Sequence, residues 1–206
     1  MLKSRVFGKK SILEKFLQYI KRKKLHSYGI MVPKGLQILG DMPIIKKPSG
    51  GEIVLGENVV LNSDKKRSNS ALTTSVKLTT GYKGKIELGK NTILNGSCIV
   101  SYDNVKIGDY CEIASCTIIS DTDFHPVDPS TRLKQMKGEP FDHDMVNKKP
   151  ITIGNNCWIG YGSIILKGCT IGNNCVVAAG TIIPGGATFP DNSIIAGNPG
   201  KVVKRI

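Results

Sequence analysis

The chain has 206 residues, enough for one domain with a real core and short for two. Hydrophobic residues make up 40% and charged residues 22%, an ordinary soluble composition, and aromatics at 6% argue against a core of stacked rings. No apolar run approaches the ~18 residues of a membrane-spanning helix, and the N-terminus lacks the apolar stretch and cleavage site of a signal peptide, so a cytoplasmic protein is expected.

The net charge of +13 is concentrated at the start. Residues 1–28 hold nine basic side chains (Lys3, Arg5, Lys9, Lys10, Lys15, Lys21, Arg22, Lys23, Lys24) and one acid, Glu14, a net +8. That balance implies an anionic partner: nucleic acid, an anionic membrane surface or a phosphorylated ligand. Within the arm, SILEKFLQYIKRKK places Leu13, Phe16, Leu17 and Ile20 on one helical face, with the other face basic. Two readings follow. Either this is a short helix packed on the base of the domain or on a neighbouring subunit, or it lies on an anionic membrane. The arm, 1–28, is taken as one unit and 29–206 as the other.

A six-residue period then governs the chain. Traces begin with LGENVV at Leu55 and LNSDKK at Leu61, and a stretch at roughly 65–86, rich in Ser and Thr, reads as degenerate coils. Leu88, Leu94, Val100, Ile107, Ile113 and Ile119 lead successive units, one of them seven residues long. From Ile153 the sixes run unbroken through Ile159, Ile165, Ile171, Val177, Ile183, Phe189 and Ile195, and the fifth position of every unit is small or compact. Period six is neither that of a helix nor that of a strand. It suits short straight segments joined by bends, each segment sending one aliphatic inward and each bend taking a small residue, Gly or Asn in a strained conformation. Glycine, at 23 of 206 residues, exceeds the usual ~7% for that reason. Three segments per coil make a triangular prism, and Cys157 and Cys175, 18 apart, should stack. Five of the six cysteines (98, 111, 157, 169, 175) occupy the small fifth position, so they read as core residues rather than ligands or nucleophiles. Between Asp121 and Pro150 the period disappears, and a long loop is thrown out from the prism, a usual place for function.

The repeat, the loop opening TDFHPVDPSTR, the restart KPITIGNNCWIG and the ending IIAGNPGKVVKRI resemble the hexapeptide-repeat acyltransferases, in particular the galactoside and maltose O-acetyltransferases and relatives that acetylate surface polysaccharides. The resemblance covers roughly 50–206. It implies an all-β, left-handed parallel β-helix, a homotrimer, and acetyl-CoA in the groove between two prisms.

The same resemblance assigns roles. Of the three histidines, His125 stands where the family's catalytic base stands, and imidazole is a side chain suited to taking a proton in catalysis; His26 and His143 read as solvated. Asp121 and Asp123 are candidates to fix its tautomer. Trp158 matches the tryptophan beside the pantetheine arm. The backbone N–H of Tyr161, where the family has a smaller residue, would meet the oxyanion. Ala179 matches a backbone contact to pantetheine, and Lys201 and Lys204 match cations at the CoA phosphates. Asn95, Asp103 and Arg132 are acceptor candidates. No metal is expected. The implied reaction is acetyl transfer from acetyl-CoA to a hydroxyl of a sugar or surface-polysaccharide precursor, with N-acetylation of an aminosugar or antibiotic as the alternative. A carbonic anhydrase on this prism needs three zinc histidines that are lacking here. A serine acetyltransferase needs a large helical N-terminal domain. A nucleic-acid binder would lack stacking aromatics and a known module, and a non-enzymatic scaffold is the remaining alternative.

Overall fold

The computed structural model describes residues 11–66, 68 and 72–206. The aliphatics read from the period point into one continuous core because the chain winds as a left-handed parallel β-helix. Helix α1 (Ile12–Ser27) precedes six triangular coils. The first coil is β1 (Gln37–Gly40), β2 (Ile44–Lys46) and β3 (Glu52–Leu55), and the second β4 (Val60–Ser63), β5 (Lys77–Thr80) and β6 (Lys85–Leu88). The third is β7 (Ile93–Asn95), β8 (Cys98–Ser101) and β9 (Asn104–Ile107), and the fourth β10 (Glu112–Ile113), β11 (Ile118–Ser120) and, after the loop, β12 (Ile151–Ile153). The last two are β13 (Trp158–Ile159), β14 (Ile164–Leu166), β15 (Thr170–Ile171), then β16 (Val176–Val177), β17 (Ile182–Ile183), β18 (Thr188–Phe189). β19 (Ser193–Gly197) opens a seventh rung, and β20 (Gly200–Arg205) folds back antiparallel along it.

Each prism wall is therefore one sheet. Sheet A runs β1-β4-β7-β10-β13-β16-β19-β20, sheet B β2-β5-β8-β11-β14-β17 and sheet C β3-β6-β9-β12-β15-β18. The inward column of sheet A is Ile38, Leu61, Leu94, Ile113, Ile159, Val177 and Ile195, in register and all buried. Cys157 and Cys175 stack as the spacing requires, since Trp158 pairs with Val176. The buried thiols of Cys157, Cys169 and Cys175 donate to carbonyls of the following coil, Gly172, Pro184 and Pro190.

Two turn devices recur. Asn58, Asn91, Asn156, Asn174 and Asn192 all hold φ between 53° and 58°, the left-handed region that asparagine tolerates better than most residues. They also ladder through their amides, Asn156 to Asn174 and Asn174 to Asn192 at 3.0 Å each. Glycine follows the inward aliphatic where coils touch: a Cβ on Gly154 would meet the backbone of Gly172 at 2.7 Å.

The structure corrects three expectations. The prism begins a coil earlier than Leu55, at Gln37. The degenerate stretch divides into an insertion between Ser63 and Lys77 and two regular strands, β5 and β6. The loop at 121–150 is not aperiodic throughout: it holds helix α2 (Pro129–Lys137) and a short 3₁₀ turn at His143–Met145.

Replacing Asn174 by alanine should cost about 2 kcal/mol, and Asn174→Gly about half that, because glycine keeps the left-handed backbone but not the ladder. Urea denaturation of both variants measures the difference; equal costs would contradict the strain argument.

Candidate functional site

The loop leaves the prism at the corner between sheets B and C, and its stem is clamped. Thr122 bridges Lys148, Asp123 N–H donates to Asn147 O (3.0 Å) and Lys149 N–H to Asp121 O (2.9 Å). Asp121 is fully buried and accepts from Ser101 Oγ (2.7 Å), Tyr102 N–H (2.7 Å) and Asp103 N–H (3.0 Å). Burial pushes its carboxyl above the ordinary carboxylate value, against those three donors. Asp123 pairs with Lys167 at 2.6 Å across the stem. Both aspartates thus anchor the loop. The expectation that one of them orients His125 is not met in this chain, because their oxygens serve the stem.

The imidazole finds another partner. His125 Nδ1 lies 2.8 Å from Gln135 Oε1, and Gln135 Nε2 donates to Phe124 O at 3.2 Å. That second bond fixes the amide: a carbonyl only accepts, so the nitrogen of Gln135 must face Phe124 and its oxygen the ring. The ring must then carry its proton on Nδ1, which leaves the lone pair on Nε2. His125 itself is exposed. Gln135 sits on α2, whose N-cap Asp128 accepts from Thr131 N–H (2.7 Å), Thr131 Oγ1 (2.8 Å) and Ser130 Oγ (2.6 Å), with Pro129 in the first turn and Gly138 left-handed at φ 69° at the C-terminus. Arg132, on the same helix, turns Nη1 onto Pro126 O and Val127 O. Asp103 lies at the same corner through its bond to Asp121, and Phe124 rests edge-on against Tyr102. His143 is exposed and lies tilted against Phe141, ring centroids 4.5 Å apart at 51°; His26 is exposed on α1.

The remaining candidates lie on another wall. Trp158, 56% exposed, stands on the outer side of sheet A in a column with Glu112, Val176, Ile194 and Lys204. Three ladder steps separate Trp158 from Lys204, about 14 Å. Lys201 pairs with Ala196 on the same β20 ribbon. Tyr161 and Ala179 are stacked at the corner between sheets A and B, joined by Gly180 N–H to Tyr161 O at 2.8 Å. The amide N–H of each donates to no group among the described residues. Asn95 is nearly buried on sheet A, accepting from Asn62 and donating to Glu112 Oε1 at 3.3 Å. Within one chain, then, His125, Asp103 and Arg132 stand at one corner, and Trp158, Tyr161, Ala179, Lys201, Lys204 and Asn95 on another wall and its edge. Among the described residues no group of three His, Cys, Asp or Glu stands where it could hold a metal ion.

Sequence reasoning missed Gln135. The run Asp128-Pro129-Ser130-Thr131 followed by Gly138 is a helix start and stop that would have placed it.

Residues 150–185 match the family model for the bacterial transferase hexapeptide (six repeats). A provisionally named acetyltransferase of Dictyostelium discoideum is 42% identical over 127 residues, 61% of this chain and 60% of that protein; the match thus spans less than two thirds of the relative. Among solved structures, a maltose O-acetyltransferase from Clostridium difficile aligns at TM-score 0.53 and 20% identity, covering 95% of this chain and 89% of the other. A mutant of the N-acyltransferase AntD from Bacillus cereus, in complex with dTDP and coenzyme A, aligns at TM-score 0.63 and 17% identity, covering 89% and 88%. These structures share the fold. The resemblance to hexapeptide-repeat acyltransferases holds.

The hydrogen bonds from Ser130 and Thr131 hold the Asp128 carboxyl at about 2, below its ordinary 3.8. With a depressed folded value, the cap's contribution to α2 is complete above ~4 and is lost as pH falls through about 2. A carbon-13 titration of the Asp128 carboxyl should show its midpoint near 2; a midpoint near 4 would mean that the cap is not formed.

Proposed function

We propose that this hexapeptide-repeat chain is an acetyltransferase that moves the acetyl group of acetyl-CoA to a hydroxyl of a sugar or surface-polysaccharide precursor in the cytoplasm, with His125 as general base. One observation carries the reading: the Gln135 amide holds the imidazole in the tautomer whose free Nε2 can take a proton. A sugar hydroxyl is a poor nucleophile until its proton leaves, and an imidazole with a free Nε2 lone pair is suited to removing it as the bond to the thioester carbonyl forms. Carbonyl oxygen becomes oxyanion, and the N–H of Tyr161, which has no partner among the described residues, is proposed to receive it. Collapse of the tetrahedral centre expels the CoA thiolate, which takes back a proton from the imidazolium.

The cosubstrate would lie along the outer side of sheet A. Trp158 would flank the pantetheine arm, Ala179 N–H would meet its amides, and Lys201 and Lys204 would face the phosphates, as point charges rather than forks. Asp103 and Arg132 would hold the acceptor beside His125, with Asn95 facing it from the opposite wall. These two sets occupy different walls of one prism, which supports a cyclic homotrimer in which each site joins the loop corner of one copy to sheet A of the next.

His125→Ala should lower kcat by 10²- to 10⁴-fold with little change in acetyl-CoA affinity, while His143→Ala stays active. Steady-state kinetics and calorimetric binding check this, and an active His125→Ala enzyme would remove the mechanism. Gln135→Glu should move the acid limb of kcat/KM to higher pH, because a carboxylate at Nδ1 favours the imidazolium.

The shared site has its own test. His125→Ala and Trp158→Ala subunits, each impaired alone, should recover about a quarter of wild-type activity when unfolded and reassembled at equal ratio, since mixed trimers carry one intact site in three. Sites built within one chain would show no recovery.

A further inference from the structure

Helix α1 is amphipathic in the opposite sense to most surface helices. Its polar side faces the protein. Gln18 Nε2 donates to Ile38 O (2.6 Å) and Gln18 Oε1 accepts from Ile38 N–H (3.0 Å). Arg22 Nε donates to Leu36 O (3.1 Å), and Lys21 Nζ reaches Ile38 O (3.3 Å) and Gly40 O. These are groups of β1 and of Leu36 just before it, on the edge of sheet A where β1 has a strand partner on one side only. The polar side chains thus stand in for the missing rung, and Leu25 is the buried residue of the helix.

At 3.6 residues per turn the opposite face carries Ile12, Leu13, Phe16, Leu17 and Ile20. They are 88%, 66%, 58%, 44% and 47% exposed. The stripe therefore looks away from the N-terminal end of the prism. Its surroundings are basic: Lys15, Lys23 and Lys24 are exposed, with Lys23 lying over the Tyr19 ring at 4.9 Å. Glu14, the one acid of residues 1–28, is tied into the capping box with Ser11. The ten residues before the helix add four basic side chains and no acid to the sequence.

We infer that α1 docks on an anionic lipid bilayer, its apolar stripe in the acyl boundary and its lysines at the headgroups. Charge complementarity chooses this occupant. A second copy seated face to face on the stripe would bring two +8 arms together, whereas anionic headgroups neutralise them. A cyclic trimer would point its three helices the same way, so one membrane could engage all three. The inference does not depend on the transfer chemistry, and its test reads binding rather than turnover.

Flotation of the full chain with phosphatidylcholine vesicles, alone or mixed with phosphatidylglycerol, reads the interaction. Binding is expected on the mixed vesicles only, weakening as salt rises. The double variant Phe16→Ser/Ile20→Ser should lose about tenfold in vesicle affinity at unchanged thermal midpoint, because both side chains are exposed. Lys23→Gln/Lys24→Gln should weaken binding and flatten its salt dependence. No binding to the mixed vesicles overturns the inference, as does binding that Phe16→Ser/Ile20→Ser leaves intact. If that variant instead lowers the mass seen by light scattering or loses thermal stability, the stripe is a contact between copies and the lipid assignment is wrong.

Discussion

The protein depends on keeping each parallel strand in register with the strand one coil away. Where the coil is uninterrupted that distance is 18 residues: Ile159, Val177 and Ile195 superpose, as do Thr170 and Thr188. A slip of one residue would turn every inward aliphatic to the surface. The corners enforce the count. At the corner between sheets C and A an asparagine in the left-handed conformation bends the chain onto the next wall in a fixed number of residues, and Asn156, Asn174 and Asn192 bond to one another through their amides. Insertions are tolerated only where the chain leaves and re-enters at a corner, as at 64–76 and 121–150. The candidate site around His125 is attached to the prism at such a corner, where it does not disturb the stacking.

The period made the walls legible before any coordinates. One inward aliphatic per six residues is a direct consequence of the geometry, so the column from Leu94 to Ile195 could be read from sequence. The first coil could not. β2 carries Lys46 and is flanked by Pro43 and Lys47, and the second coil is lengthened by the insertion at 64–76, so the repeat loses its rhythm although the sheets do not. The cysteines were legible for a plain reason: the fifth position wants a small side chain, and a thiol there also donates weakly to a carbonyl, as Cys157, Cys169 and Cys175 do.

The site was less legible, for a different reason. Histidine can be found by its place after a coil, but its partner is set by the path of the loop. Asp121 and Asp123 are nearer in sequence, and sequence proximity favoured them. The stem claims both, one for the turn at Ser101 to Asp103 and the other for Lys167. Gln135 arrives from ten residues away because α2 brings it back, and α2 exists because Asp128 caps it and Gly138 ends it. Helix capping thus reaches the tautomer of an imidazole through one amide.

The two ends of the prism pose a common problem and receive different solutions. A parallel coil leaves an open strand edge on each wall at both ends, and on sheet A these edges would offer backbone donors and acceptors that invite another chain. At the C-terminal end the protein lays its own β20 antiparallel on β19, and that ribbon carries Lys201 and Lys204. At the N-terminal end no strand is available, and Gln18, Lys21 and Arg22 of α1 take its place. A helix that meets an open strand edge must present hydrogen-bonding side chains to it, so its apolar residues are left for the outer side. The exposed stripe is therefore a consequence of how the edge is closed, and the basic residues around it determine what can cover it.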